Sequence, residues 1–165
     1  MLFSLFFVTA ASDPLVAARL RGFDNDMSPR TLSALVADPV GALLEVVDDR
    51  AQPVFVRARA LSLLGHYLES RTFTALLRMA RHEEPELRIK ALKGLRYVAE
   101  KMPAAGEDPM LVAALNDGLV DRDRFVRMQA VRACTAVPAQ HSALQRARES
   151  ERDAGVRRTF DEVLR

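Results

Sequence analysis

Hydrophobic residues recur at helical spacing through most of the chain. The clearest runs with this spacing are Leu32, Leu35 and Val36, then Val40, Leu43, Leu44 and Val47, and then Phe73, Leu76, Leu77 and Ala80. Positions i, i+3, i+4 and i+7 lie on one side of a helix, so each run predicts a helix with one buried face. No stretch shows the sustained alternation of apolar and polar residues that predicts a β-strand. The pattern therefore predicts an all-α protein.

Prolines divide this pattern into short helices, because proline suits the first turn of a helix and disrupts its interior. Four pairs combine a capping side chain with a proline at the first helical position, namely Asp13-Pro14, Ser28-Pro29, Asp38-Pro39 and Asp108-Pro109. Pro53 and Pro85 are expected to begin two more helices. Pro103 and Pro138 follow apolar stretches and are expected to mark helix ends.

The first eleven residues, MLFSLFFVTAA, are uncharged and mostly large and apolar, unlike the rest of the chain. They are too few to span a bilayer, and their apolar side chains cover every direction around a helix. The small residues that end this run resemble the cleavage region of a secretory signal peptide, but the usual basic segment before the apolar core is missing. Residues 1–12 are therefore either a signal peptide or a hydrophobic segment on the first helix. We slightly favour a periplasmic or secreted protein over a cytoplasmic one, with residues 13–165 as the folded domain.

Three of the predicted helices share one local pattern: an aliphatic residue, a basic residue, an alanine four positions after the aliphatic one, and a second aliphatic. The copies are Val56-Arg57-Ala58-Arg59-Ala60-Leu61, Leu87-Arg88-Ile89-Lys90-Ala91-Leu92 and Val126-Arg127-Met128-Gln129-Ala130-Val131. A fainter copy begins at Val156, so the four copies start 31, 39 and 30 residues apart. This period is typical of stacked helix pairs. We call the helices that carry the pattern the VR helices.

The alanines of the pattern have a physical use. Ala60, Ala91 and Ala130 are expected to let a neighbouring helix approach closely while larger aliphatic residues fill the space on either side. An acidic turn precedes each copy; these turns contain Asp48-Asp49, Glu83-Glu84, and Asp121 with Asp123. We expect these turns to lie near the arginine of the same copy or of the next one. The longer interval between copies contains residues 103–108, which predict a loop insertion.

An acidic turn followed by V/L-R-x-x-A-L/V resembles the HEAT repeat, particularly the short HEAT-like repeats of phycobilisome lyases. The resemblance covers about residues 28–165 and implies an α-solenoid of about four to five antiparallel helix pairs. Taking each VR helix as the first of its pair makes residues 71–81, 109–119 and 141–150 the second helices, with 28–37 and 39–48 as a divergent first pair. The final copy departs from the pattern because Phe160 stands at the alanine position and no second helix follows, as in many terminal capping elements.

Candidate catalytic or metal-binding residues are few. His66, His82 and His141 fall on three separate segments without the spacing or carboxylate partners of a metal site, so each is expected to be a surface histidine. The His82-Glu83 pair differs from the iron-binding His-Glu pairs of HEAT-like deoxyhypusine hydroxylases, because it occurs once and lies in a turn. Cys134, the single cysteine, matches aliphatic positions of the other copies and is expected to be a buried hydrophobe.

Composition and charge fit one globular domain and give little indication of a partner. The 165 residues are 49% hydrophobic, and 24 basic residues against 22 acidic ones give a net charge of +2. Arginine supplies 21 of those 24 basic residues and suits carboxylates or phosphates. However, acids alternate with the arginines and tryptophan is absent, which disfavours a track for nucleic acid. HEAT-like alkylpurine DNA glycosylases are similar in repeat architecture only.

We therefore expect a monomeric, non-enzymatic module that binds or scaffolds another protein with the curved face of its solenoid. No cofactor, metal or membrane span is expected. With the pairing given above, helices 71–81 and 109–119 would line the concave side. Two alternatives stay open, namely a solenoid that binds nucleic acid and an accessory subunit that cradles a cofactor in the manner of a bilin lyase.

Overall fold

The computed structural model describes residues 13–22 and 27–165, so the apolar segment 1–12 and its interpretation as a signal peptide lie outside the described residues. In the described ranges the protein is all-helical and has no strand, which confirms the prediction of an all-α protein. The α-helices are α1 (Pro14–Arg21), α2 (Pro29–Leu35), α3 (Pro39–Asp48), α4 (Val54–Leu64), α5 (Ser70–Met79), α6 (Pro85–Lys101), α7 (Pro109–Leu119), α8 (Arg124–Cys134), α9 (His141–Ser150) and α10 (Ala154–Val163). The VR helices are α4, α6, α8 and α10.

Capping side chains begin the helices where the sequence predicted. Asp13, Ser28, Asp38 and Asp108 each accept a hydrogen bond from a backbone N–H in the first turn of the helix that follows. Each of these caps satisfies an N–H group that has no partner inside the helix, which is worth about 1 kcal/mol. Pro53 and Pro85 begin α4 and α6 as predicted, Pro53 as the N-cap and Pro85 as the first helical residue.

Two short 3₁₀ helices stand where the sequence predicted only helix ends and a loop. They span Pro103–Glu107 and Pro138–Gln140, after the ends of α6 and α8. Proline's fixed φ suits the start of a 3₁₀ turn as well as that of an α-helix, so the same residue ends one element and begins another. The insertion at 103–108 is therefore ordered helix, and it packs on α6 and α7.

Of the two helices next to it in the chain, each of α4, α6 and α8 packs on the one that precedes it, so the predicted pairing with the following helix was wrong. The hairpins are α3 with α4, α5 with α6, and α7 with α8. Hydrogen bonds explain this direction, because Arg57 Nε donates to the carbonyl of Val47 near the end of α3. Arg88 Nη1 likewise donates to the carbonyls of His82 and Glu83, just after α5. Each arginine fastens its VR helix to the preceding helix or the turn that follows it, a contact that periodicity alone does not reveal.

The VR helices also pack on one another in chain order, α4 on α6, α6 on α8, and α8 on α10. Ala60, Ala91 and Ala130 are fully buried, as the pattern predicted. Gly65 and Gly94 bring α4 and α6 even closer, since a Cβ at Gly65 would lie 3.1 Å from the Cα of Gly94. Small side chains therefore set the separation between neighbouring VR helices.

The helical core extends beyond the part of the chain that resembles HEAT repeats. Helix α1 packs on α3 and α4 and buries Val16, Ala17 and Leu20. At the other end, Phe160 of α10 is buried although it replaces the repeated alanine. Because α1 packs on α3 and α4, it belongs to the same folded unit as the VR helices.

Candidate functional site

Arg88 joins two turns of the molecule. Its Nε and Nη2 donate to the two carboxylate oxygens of Asp121 at 2.7 and 2.8 Å. Its Nη1 donates to the carbonyls of His82 and Glu83, both at 2.8 Å. The guanidinium is buried, so these charge-assisted hydrogen bonds replace the water that it loses on folding. Arg88 thereby ties the turn before its own VR helix to the turn before the next one.

Arg127 makes the same set of contacts one repeat later. Its Nε and Nη2 donate to the carboxylate of Glu151 at 2.7 and 3.2 Å. Its Nη1 donates to the carbonyls of Asp121 and Arg122 at 2.9 and 3.3 Å. The hydrogen bonds from Arg127 lower the pKa of the Glu151 carboxyl against the opposing effect of burial. We call Arg57, Arg88 and Arg127 the arginine ladder.

The acids of the ladder share one position in the repeat. Asp121 and Glu151 each lie six residues before the VR arginine of their own copy. Each also accepts the backbone N–H two residues later, that of Asp123 or Asp153, at 2.8 Å. The sequence predicted that the acidic turns lie near the arginine of their own copy or of the next one, and Arg127 does donate to the Asp121 carbonyl in its own turn. The sequence did not predict that the Asp121 carboxylate binds Arg88 of the preceding copy.

His82 stands at the corresponding position beside Arg57. Its Nδ1 accepts the backbone N–H of Glu84 at 3.1 Å, the bond that Asp121 and Glu151 make with an oxygen. Its Nε2 lies 3.3 Å from Arg57 Nη2. His82 is therefore half-buried in the ladder rather than an isolated surface histidine. Counting six residues back from each VR arginine would have placed it there from the sequence alone.

An imidazole has too few hydrogen-bond acceptors to replace a carboxylate at this position. A neutral ring has one acceptor nitrogen, whereas both Glu84 N–H and Arg57 Nη2 offer hydrogens; a protonated ring has none. Burial and the charge of Arg57, with a contribution from Arg50, lower the pKa of His82 below its ordinary 6.5, while Glu83 and Glu84 oppose this shift. Arg57 therefore lacks the neutralising bidentate partner that the other two ladder arginines have.

A groove of about 670 Å³ lies beside Arg57. Four arginines line it, Arg50, Arg57, Arg78 and Arg81, together with His82 and the acids Asp48 and Glu83. Arg78 is paired with Asp48 at 2.7 Å, and Arg81 with Asp117 at 3.0 Å. Arg50 makes no hydrogen bond or ion pair with the residues that the structure describes, and neither does the Nη1 atom of Arg57. The groove therefore carries more positive charge than its own acids neutralise.

The other sequence candidates lie apart from this groove. His66 is exposed and makes an edge contact with the ring of Tyr97, and His141 is exposed with its Nε2 3.1 Å from Gln145 Nε2. Cys134 is buried as predicted, and burial raises the pKa of its thiol to about 12, so it is not a reactive thiolate. Across residues 13–22 and 27–165, no cluster of three His, Cys, Asp or Glu side chains is arranged to hold a metal ion.

Comparison with known families gives no identification of this chain. No protein-family model matches it. No curated protein matches it either. Among the helices that the structure describes, none is long and apolar enough to cross a bilayer. The chemistry of the site therefore rests on the contacts within the chain.

Proposed function

We propose that the protein is a HEAT-like α-solenoid that acts as a non-enzymatic module for binding or scaffolding another protein. One observation carries the proposal, namely that the VR helices pack on each other in chain order while the arginine ladder ties the turn before one VR helix to the turn before the next. Repeats joined only to their neighbours build an elongated stack, and such stacks bind partners over an extended surface. The resemblance of the VR pattern to the HEAT repeat supports the same architecture.

The binding surface in this proposal is the side of the stack formed by the VR helices and the turns that precede them. Alanines and glycines bring the VR helices close together, whereas α3, α5, α7 and α9 contact one another only slightly. A stack that is tighter on one side curves toward that side. We therefore propose the VR helices, rather than 71–81 and 109–119, as the concave lining, since the hairpins make the VR helices the second of each pair.

Polar and basic side chains on this side offer contacts for a partner. Ser62, Lys90, Lys93 and Tyr97 line a small cleft of about 140 Å³ around Gly65 and Gly94. A protein partner gains shape complementarity from the stacked helices and orientation from these polar groups. No arrangement of acids, bases and nucleophiles is required for that role.

Site-specific photocrosslinking in the native host tests the proposal. The exposed Lys93 of α6 is replaced by p-benzoylphenylalanine, and the exposed Ser142 of α9 receives the same residue as the matched control. We expect a discrete protein crosslinked at Lys93 and none at Ser142, identified by mass spectrometry. No crosslinked protein at Lys93, or the same proteins at both positions, would reject the function. A nuclease-sensitive crosslink or a bound chromophore would instead favour one of the two alternatives.

A further inference from the structure

We propose that the groove beside Arg57 binds the side-chain carboxylate of an Asp or Glu residue of the partner protein. The inference deepens the proposed function and rests on it for the source of the carboxylate. In this site the partner supplies to Arg57 what Asp121 and Glu151 supply to Arg88 and Arg127. The molecule thus contains two examples of a carboxylate bound by the arginine of this repeat position, although there the carboxylate takes Nε and Nη2, whereas at Arg57 those atoms face Val47 and His82.

The two filled examples identify the class of ligand. Arg88 and Arg127 stand at the same repeat position as Arg57, and each donates two hydrogen bonds to one carboxylate. The planar guanidinium matches a carboxylate in this bidentate geometry. At Arg57 the side chain of His82 stands in the acidic position, and Nε is already engaged by the Val47 carbonyl. Arg57 lines the groove, and Nη1 is the nitrogen of its guanidinium left to donate to a ligand.

Burial makes the Arg57 charge a strong point of attraction. The residue is only 6% exposed, so its guanidinium has lost most of its water. A buried charge without an opposite charge is costly, and a carboxylate that reaches it recovers part of that cost. Arg50 lines the same groove and adds a second positive charge, while Glu83 contributes one negative charge, so the unpaired groups leave room for a single carboxylate.

The acids that line the groove favour a carboxylate over a phosphate. Asp48 and Glu83 stand among the basic side chains, and Asp48 already pairs with Arg78. A phosphate carries close to two negative charges and is repelled more strongly by these carboxylates than a single carboxylate is. Once Arg78 is paired with Asp48 and Arg81 with Asp117, Arg50, Arg57 and Glu83 leave one positive charge, which a single carboxylate neutralises.

Titration of the full chain with short peptides tests the site directly. The probe is acetyl-Gly-Glu-Glu-Gly-amide, and acetyl-Gly-Gln-Gln-Gly-amide is its uncharged match. We expect saturable changes in the backbone amide NMR signals of Arg57 and Glu84, with about tenfold weaker binding of the Gln peptide, since a hydrogen bond to a charged group is worth more than 1.4 kcal/mol. Equal binding of both peptides, or none by either, would overturn the proposal.

A substitution at His82 provides the decisive variant. His82→Glu places in the ladder the carboxylate that Glu151 provides for Arg127, so the Arg57 charge is neutralised within the chain. We expect about tenfold weaker binding of the Glu peptide together with a higher melting temperature, which excludes misfolding as the cause. The matched control is His141→Glu, which makes the same charge change at an exposed site on α9 and should leave peptide binding unchanged. An equal loss in both variants would mean that net charge alone attracts the peptide.

Two further outcomes separate the carboxylate site from the proposed function. If the protein crosslinked at Lys93 is captured equally well by wild type and His82→Glu, the site is wrong although the binding function stands. If the Glu peptide binds as expected but no protein is crosslinked at Lys93, the function is wrong and a partner's carboxylate is no longer the source. Tighter binding of a phosphoserine peptide than of the Glu peptide would reject the carboxylate assignment.

Discussion

The contacts of the arginine ladder differ in how many acceptor atoms the side chain facing each arginine provides. Asp121 has two oxygens that serve Arg88 and the N–H of Asp123 at the same time. His82 has two nitrogens, of which one at most accepts, and it faces the same two kinds of donor. The first contact therefore neutralises a buried arginine, and the second leaves Arg57 without a carboxylate partner among the described residues.

Removing the charge of Asp121 tests how much a buried ladder contact contributes. The side chains of Arg88 and Asp121 are only 8% and 13% exposed. Asp121→Asn should lower the free energy of unfolding by about 3 kcal/mol, because Arg88 stays buried without an opposite charge. Asp117→Asn is the matched control, since its pair with Arg81 is far more exposed, and it should cost less than about 1 kcal/mol. Urea denaturation measures both; similar losses would contradict the burial argument.

The titration of His82 makes stability depend on pH in a defined direction. Its pKa is lower in the folded chain than the ordinary 6.5, so the folded state resists protonation more than the unfolded state does. The stability that this group contributes is full above about pH 6.5 and is lost as the pH falls through the lowered pKa. Between pH 7.5 and 5, the free energy of unfolding of wild type should therefore fall more than that of His82→Gln. Denaturation of both proteins at each pH measures the difference.

His141→Gln is the control for this dependence, because His141 is exposed and lies on α9. The free energy of unfolding of His141→Gln should change with pH in the same way as that of wild type. A pH dependence in His82→Gln identical to that of wild type would show that His82 is not the group responsible.

At the level of the elements, close approach of helices depends on residues without bulk. Gly118 near the end of α7 faces α6 and α8 together, and an added Cβ would lie 2.9 Å from the Cβ of Ala130 and 3.3 Å from a Leu92 methyl. The Ala130 Cβ is fixed to its backbone, so it cannot rotate away. The contact therefore requires glycine for lack of space and not for an unusual φ.

Gly118→Ala tests this contact against helix propensity. Alanine favours a helix over glycine by about 1 kcal/mol, whereas overpacking costs about 1–3 kcal/mol. We expect a net loss of about 1 kcal/mol in the free energy of unfolding, measured by urea denaturation. Asn116→Ala, at an exposed position of the same helix, should instead be neutral or slightly stabilising. A stabilised Gly118→Ala variant would show that the helices can separate at little cost.

For the whole molecule, protection from hydrogen exchange should follow the number of neighbours that each helix has. Helix α6 packs on α4, α5 and α8 and buries residues along its whole length, whereas α2 and α9 each bury a single residue, Leu32 and Leu144. Amides of α6 and α8 should therefore exchange most slowly and those of α2 and α9 fastest. Mass spectrometry of exchanged peptides measures this order, and uniform protection would contradict it.

Local chemistry by itself determined the helices and the repeat. A capping side chain and a proline act within one turn, so Ser28-Pro29 and Asp108-Pro109 predicted helix starts correctly. Burial of Ala91 followed from periodicity within one helix. The order of pairing and the partner of each ladder arginine were decided only by tertiary structure, because Arg88 and Asp121 are 33 residues apart and many folds could bring either to another neighbour. Periodicity indicates which face of a helix is buried, but packing between helices that are distant in the chain decides which helix covers it.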